Sequence, residues 1–223
     1  MRAEADVVIV GAGPAGLAAA DVLGAAGCEV VLLDEQPAPG GQIYRGIGAA
    51  SPARLRVLGG DYAAGRELLA ALDRPGVRFT GGAAVWEVTR ARVVSFSVAG
   101  SARQIAARQV ILATGATERP VPFPGWTLPG VMTAGAGQIL LKTSGLLPPA
   151  PLVLAGSGPL LFLLAAQYLA AGQEIAAIVE TTPAANRLLA LPHLAGALRG
   201  HRYLRKGLGL LARLRRAGVP RYR

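Results

Sequence analysis

Six consecutive residues, Gly11-Ala12-Gly13-Pro14-Ala15-Gly16, limit what this chain can fold into more than any other feature. They follow the apolar run Ala5–Val10, which suits a central parallel strand covered on both faces. The Ala/Leu-rich segment Ala15–Ala26 comes next and stops at Gly27, as a helix would. Glu29–Leu33 then reads as a second strand closing on Asp34 and Glu35. A glycine triplet between strand and helix, inside one strand–helix–strand unit, is a dinucleotide fingerprint. Gly11 permits the tight turn, Gly13 lets a pyrophosphate approach the backbone, and Gly16 lets helix and strand pack closely. Pro14 and Ala15 stand at the helix start in the same cradle, where backbone N–H groups, which Pro14 itself lacks, attract a diphosphate. Asp34, roughly twenty residues on, is placed to accept the adenosine ribose hydroxyls, with Glu35 as the neighbouring alternative. An acid at this point disfavours a 2′-phosphate, so the ligand is FAD or NAD and not NADP.

The rest of the chain extends this unit. A Pro/Gly-rich loop runs from Gln36 to about Ser51, and Asp61–Leu72 reads as a helix stopped by Pro75 and Gly76. Val77–Thr80, Ala84–Thr89, Arg92–Val98 and Ala102–Ala106 read as a strand plus a small antiparallel ribbon, and Gln109–Ala113 as a further apolar strand. After the Pro-rich connection Arg119–Gly130 comes a helix at Ala134–Thr143. A second strand–turn–helix–strand then begins at Leu152, turns through Gly156-Ser157-Gly158-Pro159, and ends at Glu180. The expected fold is α/β. A doubly wound, Rossmann-like domain over residues 1–117 carries the ribbon and a return segment, 118–148. A partial second dinucleotide-type domain covers 149–223. Gly156, Gly158, Pro159 and Glu180 would form a second nucleotide site, for NAD. Leu161 stands in place of the third glycine, however, and Glu180 comes one residue later than Asp34 would lead one to expect. A packed but empty scaffold is the preferred reading. The final residues, Gly218-Val219-Pro220-Arg221-Tyr222, read as a strand just starting, so the second domain is expected to be truncated or completed by a partner.

Composition narrows the function. A chain of 223 residues, 52% hydrophobic and 16% charged, can bury a sizeable core. Its formal net charge of +10 is concentrated in one terminal segment, since no acid follows Glu180. That distribution favours a solvated helix face, or a surface for an acidic partner, over nucleic-acid binding. A single cysteine, Cys28, rules out an internal disulfide, a CxxC redox pair and a cysteine-held iron–sulfur cluster within this chain, and is compatible with a cytoplasmic setting. No basic segment precedes an apolar run at the N-terminus. The uncharged stretch between Lys142 and Glu174 is broken by prolines and glycines, and reads as a buried crossover helix and not a membrane span. His193 and His201 lie in the helical C-terminal region, no cluster has metal-ligand spacing, and no catalytic acid or base stands out.

Two further motifs favour FAD over NAD. Pro39-Gly40-Gly41-Gln42 and Val110-Ile111-Leu112-Ala113-Thr114-Gly115 resemble segments of the two-dinucleotide-domain flavoproteins, the pyridine nucleotide–disulfide oxidoreductase superfamily. The resemblance implies that Gly41 and Gln42 lie along the FAD ribityl and ring side. It also implies that Ala113, Thr114 and Gly115 lie beside the pyrophosphate, and that Val85 offers backbone to the adenine. Asp34-Glu35-Gln36-Pro37 through Tyr44-Arg45, the run Ala113–Pro120 and Pro124–Val131 resemble one branch, the FAD subunits of opine oxidases, hydrogen cyanide synthase and D-hydroxyproline dehydrogenase. That branch implies a heteromeric flavoenzyme oxidising a C–N bond of an amino or imino acid by hydride transfer to flavin. An NADH-dependent flavoprotein reductase and a non-catalytic FAD-binding subunit are the alternatives. The superfamily's late Gly-Asp segment, which closes the flavin site, is missing from this chain.

Overall fold

The computed structural model describes residues 3–183 and 185–223. The chain divides into two compact units, Met1–Arg119 with Lys142–Ser144, and Pro120–Leu141 with Gly145–Arg223. The first unit opens with β1 (Ala3–Val10), α1 (Pro14–Ala25) and β2 (Val30–Asp34). It continues through α2 (Pro52–Leu58), α3 (Gly60–Ala63) and a 3-10 helix at Ala64–Asp73. β3 (Val77–Gly81), β4 (Ala84–Val88), β5 (Val93–Val98) and β6 (Ser101–Leu112) complete it. The six strands form one sheet in the order β3-β2-β1-β6-β5-β4. β3, β2, β1 and β6 run parallel, and β5 and β4 turn back as an antiparallel edge.

Alternation of side chains explains the unbroken apolar runs. Val7, Ile9, Val30 and Leu32 face Leu17 and Ala20 of α1 and Ala71 of the 3-10 helix. Val8, Val31 and Leu33 face the other way, against Val94, Phe96 and Ile105 of the ribbon. Both faces of the central strands are therefore buried, one by helices and one by folded-over strands.

Three local features differ from the sequence reading. Ala102–Ala106 and Gln109–Ala113 are not two strands but one, β6. Its first half pairs antiparallel with β5 and its second half parallel with β1, so the ladder never breaks. The helix expected over 61–72 is one short α turn followed by 3-10 winding, with Gly65 lodged where any Cβ would press into the Tyr44 ring. Packing, not propensity, sets the geometry there. α2 falls between the expected loop and the expected helix, on residues to which the sequence reading assigns no element; Ser51 caps it by accepting the Arg54 N–H at 3.2 Å and Pro52 occupies its first turn.

α4 (Ala134–Ser144) comes next in the chain, and its last turn belongs to the first unit. The second unit holds β7 (Leu152–Gly156), α5 (Pro159–Ala170) and β8 (Ile175–Glu180). These are followed by α6 (Ala185–Ala190), α7 (Leu194–Arg199), α8 (His201–Arg216) and β9 (Arg221–Tyr222). Its sheet is parallel, in the order β7-β8-β9. α5 is the expected buried crossover helix, with Leu161, Leu164, Ala165 and Tyr168 in the core, and α8 packs on it with Leu214 fully buried. No helix among the described residues is long and apolar enough to cross a membrane. The cations of α8 are solvent-exposed, but Arg221 is engaged: it donates to Glu180 at 2.9 Å and stacks 4.9 Å from the Phe162 ring centre.

Candidate functional site

The glycine turn sits at the C-terminal end of β1, where its neighbours force glycine. Gly11 has φ +105°, and a Cβ there would strike the Ala113 carbonyl. A Cβ on Gly16 would strike the Gly11 carbonyl. Gly11 N–H donates to the Leu33 carbonyl at 2.7 Å, and Ala113 N–H to the Val10 carbonyl at 2.8 Å, so the turn is wedged between the ends of β2 and β6. Gly13 differs. Its φ is −74°, ordinary for any residue, and a Cβ would lie 3.8 Å from Gly41 Cα, in open contact. Gly13 caps α1 without a side chain, and no acid lies in the first helical turn, where Pro14 and Ala15 stand. The positive end of the helix is thus left bare to an anion.

A second glycine turn closes over the first. Gly40 N–H donates to the Ala12 carbonyl at 2.8 Å, and Gly40 and Gly41 adopt φ +122° and +59°. A Cβ on Gly41 would come 2.7 Å from Gly13 Cα, so the two backbones touch because neither carries a side chain. The Asp34 carboxylate accepts from Ala12 N–H at 2.6 Å and from Gln36 N–H at 2.8 Å. It retains further lone pairs for sugar hydroxyls. Glu35 is exposed and accepts from the Gln36 side chain at 3.3 Å. Ala83 N–H donates to the Asp34 carbonyl at 2.8 Å, bringing the start of β4 and Val85 to this end of β2. Gln42 reaches the Ala116 carbonyl at 3.0 Å, tying the second glycine turn to the exposed Thr114-Gly115 segment. The structure therefore gathers Gly11, Gly13, Gly16, Asp34, Gly41, Gln42, Val85 and Ala113 around one end of the sheet. A bare helix end, touching glycine backbones and an anchored carboxylate fit the diphosphate and ribose of a dinucleotide.

Sequence reasoning missed Lys142. It is 4% exposed, and its Nζ donates to the Gln42 carbonyl at 2.9 Å. Burial first, and the Arg45 guanidinium second, lower its pKa from 10.5 to about 8. The Tyr62 ring centre lies 6.0 Å from this ammonium, and its hydroxyl donates to the Arg45 carbonyl at 2.7 Å. Burial raises the Tyr62 pKa, opposed by the nearby Arg54 and Arg66 charges. Arg54 in turn holds the Lys142 and Thr143 carbonyls at 3.2 and 2.9 Å. The available signal was a lone lysine on the otherwise uncharged helix Ala134–Ser144.

The second unit's glycine turn is built differently. A Cβ on Gly156 or Gly158 would meet nothing within 4 Å, unlike Gly11 or Gly16. Gly158, before Pro159, has φ +86° where Gly13 has −74°. Glu180 pairs in register with Gly156 and takes up Arg221 at 2.9 Å and Arg223 at 3.5 Å. No group of three or more His, Cys, Asp or Glu residues that could hold a metal occurs among the described residues.

Over residues 5–199 the chain matches the pyridine nucleotide-disulphide oxidoreductase family. It belongs to that family. FAD is accordingly its cofactor, and NAD a second nucleotide found in the family. The chain is 47% identical to an opine oxidase subunit of Rhizobium meliloti over 219 residues, which is 97% of this chain and 48% of that protein. It is 36% identical to the hydrogen cyanide synthase subunit HcnB of Pseudomonas protegens, covering 95% of this chain and 45% of the relative. It thus spans about half the length of the curated relatives it matches. Among solved structures, L-proline dehydrogenase from P. horikoshii superposes with a TM-score of 0.64 over 80% of this chain and 36% of that one, at 20% identity. That likeness is one of fold.

Proposed function

We propose that this chain holds FAD at the paired glycine turns and forms the cofactor-binding part of a flavin-dependent oxidoreductase subunit, one that oxidises a C–N bond of an amino acid, imino acid or opine-like substrate. The observation that carries the nucleotide reading is the backbone contact between Gly13 and Gly41 at the bare start of α1. The relatives named opine oxidase and hydrogen cyanide synthase subunits support the substrate class and a hetero-oligomeric setting. The single cysteine supports a cytoplasmic one.

In this reading the α1 amides and the Gly41 backbone take the diphosphate, Asp34 takes the adenosine ribose, and backbone near Val85 takes the adenine. Gln42 and the Ala113-Thr114-Gly115 segment line the side toward the flavin. When bound, the flavin would accept the hydride, and these residues would orient it. The open second-unit turn and the engaged Glu180 support a packed scaffold in place of an NAD site.

The test follows from the different surroundings of the two glycines. Gly11→Val would break the fold, whereas Gly13→Val should fold and fill only the space a diphosphate needs. The purified parent chain is expected to bind FAD near one equivalent by visible absorbance. The Gly13→Val chain, with an unchanged circular dichroism spectrum, should lose on the order of 2 kcal/mol, about 30-fold in Kd. Equal FAD retention by the folded variant would sink the proposal.

A further inference from the structure

Two arginines of the first unit stand where the strand pattern calls for apolar side chains. Val77 and Phe79 of β3 pack into the core on the helix side of the sheet. Arg78 and Thr80 alternate with them and so turn to the opposite face, where Arg78 pairs in register with Val31 of β2. On the ribbon, Phe96 of β5 and Ile105 of β6 belong to the core of that same face. Arg103 pairs in register with Phe96 and lies two residues from Ile105, so it turns into the same layer. A cleft of about 220 Å³ lies where the two meet. Its floor is Val31, Phe96 and Ile105, all buried, and its mouth is Arg78, Thr80, Arg103 and Gln104. No carboxylate lines it. Neither arginine makes a hydrogen bond or ion pair among the described residues. The ribbon's one acid, Glu87, reaches Gln104 only through the Ser95 hydroxyl, which alternates with Phe96 and turns away from the cleft. Val31 stands three residues before Asp34, about 10 Å back along β2, so the cleft is set apart from the glycine turns.

We infer that this cleft binds a small organic oxyanion, its phosphate or carboxylate head between Arg78 and Arg103 and its apolar body on Val31, Phe96 and Ile105. Two guanidiniums that face one cleft with no carboxylate between them gain most from a shared oxyanion, which each can meet with paired, charge-assisted hydrogen bonds. The Thr80 hydroxyl adds a neutral donor. Sites for drug-sized ligands run to about 300–1,000 Å³, so this smaller cleft suits a small acid and not a dinucleotide. An inorganic ion would leave the apolar floor uncovered. The inference stands apart from the reading of the glycine turns, since it shares no residue with them.

Phenyl phosphate, phenylacetate, benzyl alcohol and inorganic phosphate are the probes, added to the full chain with and without FAD. The chain has four phenylalanines, so carbon-13 labelling of their rings gives a readable NMR spectrum. Phe96 reports the floor of the cleft, and Phe162 on α5 of the second unit is the control. Phe96→Leu assigns the reporting line. Phenyl phosphate or phenylacetate should move Phe96 and leave Phe162, and benzyl alcohol should bind about tenfold more weakly or worse. Arg78→Met and Arg103→Met, each with an unchanged circular dichroism spectrum, should weaken the anion by about tenfold or more. The tighter of the two anions names the head group. The inference is overturned by a Phe96 line that neither anion moves, or by Met variants that bind as well as the parent. It is overturned equally by benzyl alcohol binding as tightly as the anions, or by inorganic phosphate matching phenyl phosphate. A chain that binds FAD while Phe96 stays still loses this site and keeps the proposed function. One that binds no FAD, yet shows the arginine-dependent shift, keeps the site and loses the proposed function.

Discussion

At the residue scale, Lys142 shows how burial writes itself into stability. Its pKa falls from 10.5 in the open chain to about 8 in the fold, through desolvation and then Arg45. Below about pH 8 both states carry the proton, and the folded chain bears the whole cost of the buried charge. Between about 8 and 10.5 the folded chain gives up its proton first, so the unfolded state binds more protons and stability rises with pH. Above 10.5 the gain is complete. Urea midpoints for the parent and for Lys142→Met, measured from about pH 7 to 11, should differ by an amount that grows toward alkaline pH in favour of the parent. A constant difference would mean that the amine is not desolvated. The same scale shows what a sequence can disclose. Gly11, Gly13, Gly16 and Asp34 were legible because each is required by a turn, a close approach or a strand end. Lys142 and Arg45 were not, because a hundred residues separate the amine from the Gln42 carbonyl it serves. No periodicity records such a contact.

At the element scale, legibility followed the strength of the local signal. β1, α1 and β2 were readable because apolar runs, a glycine turn and an acid succeed one another at fixed spacing. The antiparallel ribbon was readable too, but not the union of its last strand with the parallel sheet. That union depends on partners on opposite sides, β5 and β1, which no local window contains. α2 was left unassigned although its start is signalled by Ser51 and Pro52, because a helix of seven residues offers too short a window for a period to show. Ser51→Ala removes the cap and should cost about 1 kcal/mol, seen as a lower denaturant midpoint with unchanged slope. Because the Arg54 guanidinium, in the first turn of α2, holds the Lys142 and Thr143 carbonyls, the substitution should also speed amide exchange at the end of α4.

At the scale of the whole molecule, two units share one chain, and the nucleotide features lie in the first. FAD at about a hundredfold excess over Kd should stabilise the state that binds it by about 2.7 kcal/mol. Hydrogen exchange monitored by mass spectrometry should slow within Met1–Arg119 and Lys142–Ser144, above all at residues 10–17 and 34–45. Peptides from β7 and β8 should change little, since Gly156 and Gly158 offer no comparable cradle. Protection spread equally over the turns of both units would instead point to a nucleotide at each.

β6 also fixes the order in which this protein can be made. β1 leaves the ribosome about a hundred residues ahead of the segment that pairs one whole side of it, residues 105–112. At about 5–20 residues per second, those residues follow roughly five to twenty seconds later. Throughout that interval a strongly apolar edge waits for its neighbour, open to strands of other nascent chains. Yield during expression should therefore depend more on translation speed and temperature than equilibrium stability alone would indicate, with the early strand as the point of vulnerability.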